Sequence, residues 1–92
     1  MKSILQKDKE CFVCRTTQNL HKHHIFFNTA NRKLSERYGC WCFLCARHHN
    51  MSDEGIHFNK SLDLEVKKIA QAEFEKTHTR EEFREIFGRS WL

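Results

Sequence analysis

The chain has 92 residues, five cysteines, seven histidines, no proline and a net charge of +4. A chain of that length is one domain that buries only about 60 to 65% of its unfolded surface, so a metal staple would matter for its stability. Five cysteines exclude a disulfide framework that uses them all, no stretch approaches the length of a membrane span, and no repeat or low-complexity linker interrupts residues 1–92.

Met1 to Glu10 is polar and carries no apolar core of useful length for an export signal. With the cysteines clustered as metal ligands would be, the expected location is a reducing one, the cytoplasm. The piece up to about Leu20 reads as an N-terminal arm and a metal-binding turn. Cys11-Phe-Val-Cys14 offers two sulfurs to one ion, because the backbone folds tightly between them. His23 to Phe27 is short, apolar and aromatic, as a strand would be. Asn28 to Tyr38 is polar and reads as a loop with a short helical turn. Gly39 to Leu44 reads as a second strand, leading into a helix that begins near Cys45 and ends before Gly55.

A second half-site lies in that second segment. Cys45-x-x-His48 has the spacing of the first pair with an imidazole in the last place, and Cys42-x-x-Cys45 has it too. A structural zinc on Cys11, Cys14, Cys45 and His48 therefore competes with one that takes Cys42 in place of His48. The plain alternative, buried free cysteines, gives no reason for two separate x-x intervals.

The last third is helical by pattern. Leu62, Val66, Ile69, Ala70 and Phe74 recur at intervals of three and four and make one apolar stripe, with Ser61 placed to cap its start. Thr79-Arg-Glu-Glu82 fits a capping box that opens a second helix, which stops by Gly88 and turns Phe83, Ile86 and Phe87 inward. These two helices should close the core over the zinc-bearing half.

Charge and histidines carry the functional signal. Residues 1–38 hold eight Lys/Arg against three Asp/Glu, whereas residues 39–92 hold eight against nine. The basic excess, with Arg32, Lys33 and Arg37 in one segment, suits a polyanion and salt-sensitive binding, and a merely solvated basic face is the equal alternative on charge alone. Four histidines lie in two adjacent pairs, His23-His24 and His48-His49. Neighbouring side chains on a strand point to opposite sides, so one ring of a pair can bind metal while the other takes a proton. At a helix start His48 can face back to the zinc while His49 turns about 100° away, toward a second metal.

At His23-His24-Ile25 and Cys40-Trp41-Cys42-Phe43-Leu44-Cys45-Ala46-Arg47-His48-His49 the chain resembles the HNH nucleases, whose ββα-metal motif wraps a hairpin and a helix around one divalent cation. The register from Leu44-Cys45 onward is kept, and His49 lies nine positions after Cys40, as the family's last ligand lies after its asparagine. Asn31-Arg32-Lys33-Leu34-Ser35-Glu36 and His48-His49-Asn50 make it similar to small HNH-like proteins of phages and prophages. The resemblance covers residues 11–58, with the tail at 60–92 in the phage proteins. It implies an α+β, zinc-stabilised single domain with a ββα-metal (His-Me finger) core and two C-terminal helices.

Carried over by position, the resemblance makes His24 the general base, His23 and His49 ligands of the catalytic metal, and His57 a further ligand candidate. Cys11, Cys14, Cys45 and His48 would hold the structural zinc, and Arg32, Lys33, Arg37 and Arg47 would meet DNA. The catalytic cation could be magnesium, manganese, nickel or zinc. His21, two residues from His23, can share its face. Cys40 stands where the family has an asparagine that braces the loop of the base, and a thiol is a poor substitute. The implied activity is phosphodiester hydrolysis to a 5′-phosphate and a 3′-hydroxyl. The competing reading is a zinc-stapled module without cleavage that binds nucleic acid or a phage protein, using Phe26, Phe27 and Trp41 as exposed aromatics.

Overall fold

A computed structural model describes all 92 residues apart from the side chain of Thr29. The order is β1 (Leu20–His24), α1 (Thr29–Tyr38), β2 (Trp41–Cys45), α2 (Ala46–His49), a 3-10 turn (Ile56–Phe58), α3 (Lys60–Phe74) and α4 (Arg80–Phe87). The expectation of a small α+β domain holds: a two-stranded sheet and four helices.

β1 and β2 pair antiparallel, with Leu20 opposite Cys45, His23 opposite Cys42 and His24 opposite Trp41. The first strand lies earlier than its composition suggested. Ile25 keeps one bond to the neighbouring strand, its N–H donating to the Cys40 carbonyl at 3.0 Å. It and Phe26 nevertheless lie beyond β1 and are fully enclosed in the core, while the mixed segment Leu20–Lys22 forms the start of the strand. The second strand is shifted the opposite way along the chain, from the expected Gly39–Leu44 to Trp41–Cys45, as an antiparallel partner must be.

The segment expected to be a loop with one helical turn is a ten-residue helix, α1. Asn28 caps it through its side chain, which accepts from the Asn31 N–H, and Gly39 ends it in the left-handed region at φ 72°. Gly39 is required twice over, since a Cβ there would lie 2.4 Å from the Lys2 carbonyl oxygen.

The N-terminal arm covers the outer edge of β2. Ile4 N–H donates to the Gly39 carbonyl at 2.9 Å, Phe43 N–H donates to Gln6 Oε1 at 2.6 Å, and Phe12 N–H donates to the Phe43 carbonyl at 2.8 Å. Few backbone groups of the edge are left to recruit another chain.

α3 and α4 close the opposite side of the core. Phe26 lies among Phe83, Phe87 and Trp91, with ring centroids 5.2, 4.6 and 4.9 Å away. Such contacts add about 0.5–1.5 kcal/mol each to the burial of the rings. Asn31 ties α1 to the end of α4 by donating to the Phe87 carbonyl at 3.2 Å. The capping box at Thr79 and Glu82 forms as expected. Two details of α3 differ from expectation: Asn59, not Ser61, caps it, through the Leu62 N–H, and Ile69 lies outside its buried stripe, 42% exposed. No helix among the described residues is long and apolar enough to cross a membrane.

Candidate metal centres

The turn after the arm builds the first centre. Cys11 N–H donates to the Thr16 carbonyl and Arg15 N–H to the Cys11 carbonyl, at 2.8 and 2.9 Å, and Arg15 takes a positive φ of 68° to complete the curl. Across from it, Ala46 N–H donates to Asn19 at 2.9 Å where β2 passes into α2. Cys11, Cys14, Cys45 and His48 are thereby gathered with all donor atoms within 4.8 Å of one another.

Four ligands on a tetrahedral zinc would sit about 3.8 Å apart for two sulfurs and about 3.6 Å for sulfur and nitrogen. Cys14 Sγ and Cys45 Sγ are 3.8 Å apart, and His48 Nδ1 lies 3.8 Å from Cys11 Sγ and 3.2 Å from Cys45 Sγ. The set fits, and this cluster could hold a structural ion such as zinc. Burial would push the Cys11 thiol up, but the N–H groups of Cys14, Cys45 and Val13, together with the Cys14 thiol, outweigh it and hold the Cys11 thiol down at about 6, ready as a thiolate. Cys42 takes no part. It lies wholly in the core opposite His23, and burial raises its thiol to about 12.

The second cluster uses the other end of the same elements. His23 on β1, His49 in α2 and His57 in the 3-10 turn form a second group with nitrogens within 4.8 Å. His49 Nε2 and His57 Nε2 are 3.1 Å apart, close to the separation of about 3.0–3.4 Å for two imidazoles on one ion. His23 Nε2 is buried with no hydrogen-bond partner, an arrangement that otherwise costs a polar group about 1–3 kcal/mol. Burial, then the neighbouring His49 and His57, hold His23 down at about 3. Burial, then His57 and His21, hold His49 at about 4. Both rings are therefore neutral, with lone pairs available, at ordinary pH. Gly55 makes the approach of His57 possible, because a Cβ there would meet the His49 carbonyl oxygen at 2.8 Å.

His24 stands apart from this trio. Lys22 and His24 share the other face of β1, and both reach Glu36 of α1: Lys22 Nζ lies at 2.9 and 3.1 Å from the carboxylate and His24 Nε2 at 3.4 Å. Lys22 and then His24 hold the Glu36 carboxyl below its usual range. His23, His24, His49 and His57 open on one shared cavity of about 300 Å³, rimmed by Lys22, Phe27 and Arg32.

The basic residues divide. Arg32 rims this cavity and Lys33 the adjoining surface beside His24 and Glu36. Arg37 is in the last turn of α1, whereas Arg47 is bound to Glu54 at 2.6 Å on the side of the first cluster. Of the aromatics expected to be exposed, only Phe27 is, at 37%; Phe26 and Trp41 are buried.

Two residues that carry the site escaped sequence reading. Ser35 is fully buried, and its hydroxyl donates to the Phe26 carbonyl at 2.9 Å while accepting from the Phe26 N–H at 3.1 Å. It thus pins the backbone just beyond His24, a task that the buried Cys40 thiol is not suited to. Glu36 is the second; in the sequence it stands at the end of the segment 31–36 with no role of its own assigned. No protein-family model matches the chain, and no curated protein or solved structure does either.

Proposed function

We propose that the chain is a metal-dependent DNA endonuclease of the HNH type, with a structural zinc on Cys11, Cys14, Cys45 and His48 and a catalytic cation on His23, His49 and His57. The observation that carries this reading is a buried, unpartnered His23 nitrogen converging with two further imidazoles, beside a fourth histidine in the same cavity. The order of hairpin, α2 and histidine pairs supports a ββα-metal core.

When bound, the cation supplies charge neutralisation at the scissile phosphate and at the leaving oxygen. The chain's residues do the rest. His24 turns Nε2–H toward Glu36, which leaves the Nδ1 lone pair to take a proton from the attacking water. Arg32 and Lys22 at the rim hold the phosphate by charge. Three imidazoles without a carboxylate favour zinc, nickel or manganese over magnesium, with manganese the weakest of those three. No separate base-reading element remains once these parts are assigned, so cleavage would show little sequence preference or borrow it from a partner such as a phage protein.

Nicking of supercoiled plasmid across a panel of divalent metals, with His24→Ala beside the wild type, tests this reading. Metal-dependent open circles that vanish in His24→Ala are expected. A folded, zinc-loaded wild type that leaves the plasmid intact would overturn cleavage and give the lead to a zinc-stapled binding module.

A further inference from the structure

His21 and His23 lie two apart on β1 and so project from one face of the strand. His49 sits against both, its ring centroid 5.1 Å from that of His21 and 5.3 Å from that of His23. The two nitrogens of His49 meet different partners: Nδ1 lies 2.9 Å from His21 Nδ1, and Nε2 lies 3.1 Å from His57 Nε2.

Two imidazole nitrogens at 2.9 Å share a single hydrogen. If His21 donated it, a neutral His49 would carry its own hydrogen on Nε2, aimed at His57, and could not face a cation there. If His49 donates it, the Nε2 lone pair is free and aimed between His57 and His23. Ligating histidines commonly donate their second N–H to an acceptor that fixes the ring.

We propose that His21 is a positioning residue for the three-imidazole site: its Nδ1 accepts from the Nδ1–H of His49 and so selects the His49 tautomer that binds metal. The inference rests on the metal site of the proposed function but not on cleavage. It gives the fourth histidine of the group a role outside the ligand set, and it accounts for the orientation of His49, whose short helix has no side-chain cap to hold it.

The test is zinc affinity at the second site, read by competition with a chromophoric chelator on protein that keeps its structural zinc. Wild type is compared with His21→Phe, which keeps bulk without an acceptor, and His21→Asn, which restores one. His21→Phe should bind about 10- to 100-fold more weakly, and His21→Asn should recover part of that loss. Nitrogen-15 shifts of His49 in protein that holds its structural zinc alone give a second readout: protonated Nδ1 in wild type and a move toward protonated Nε2 in His21→Phe. Affinity within twofold of wild type in His21→Phe, or an unchanged His49 tautomer, would overturn the proposal. The affinity is measured without DNA, so failure to nick plasmid overturns the nuclease reading alone, whereas absence of a second ion from wild type overturns both.

Discussion

Ser35→Ala should destabilise the protein far more than a surface serine would. Its hydroxyl is fully enclosed and makes two hydrogen bonds to one residue, accepting from Phe26 N–H at 3.1 Å and donating to the Phe26 carbonyl at 2.9 Å. Alanine removes one oxygen and leaves both backbone groups buried without that partner. Each unsatisfied group costs about 1–3 kcal/mol, and the space left is too small for a water, so the two together should cost about 2–6 kcal/mol. The cavity term for a single atom is minor beside this. Urea unfolding at fixed zinc excess reads the change as a lower midpoint at constant slope. Faster hydrogen exchange at the Phe26 amide locates it. A loss below about 0.5 kcal/mol, the level of an ordinary surface substitution, would refute the reasoning.

The two cysteine pairs that share one spacing should separate on mutation: Cys11→Ser should release the structural zinc and unfold the chain, whereas Cys42→Ser should keep zinc in native mass spectrometry. Glu36→Leu should lower the rate of plasmid nicking by about tenfold through loss of His24 orientation, with thermal stability nearly unchanged because Glu36 is half exposed. Burial holds His23 at about 3 against 6.5 for a free ring, so its contribution to stability is full above pH 6.5 and is lost as pH falls toward 3. Without cation added for the three-imidazole site, wild type should therefore lose about 1.1 kcal/mol per pH unit more than His23→Leu between pH 6.5 and 5, on average, approaching about 1.4 only at the lower end. Parallel slopes for the two proteins would contradict the buried neutral ring.

The cysteine spacings were legible because coordination geometry dictates them, and the two tail helices were legible because apolar stripes and a capping box mark them. Helix α1 was not. Its inward positions include Asn31 and Ser35, polar residues four apart, so the usual apolar period is missing, although Asn28 and Gly39 stood at its two ends. Ile25 and Phe26 have strand composition but serve the aromatic core, which moved the strand toward Leu20. The choice of His48 over Cys42 depends on which side of β2 faces the Cys11 turn, and a period of two cannot be counted until the register is known. His57 reaches the trio only because Gly55 lets the backbone close on His49, and the Ser35 and Glu36 contacts join α1 to β1 and the loop after it, across a separation that no local pattern encodes.

On the proposed reading, the β1–β2 pair and the turns around it hold two separate ions, one locked by thiolates and one by neutral imidazoles. Native mass spectrometry of zinc-saturated protein, before and after brief chelation, tests it most directly. Wild type should show two ions that fall to one, and His49→Ala should show one ion throughout. A single ion in saturated wild type, or loss of both ions on His49→Ala, would contradict it.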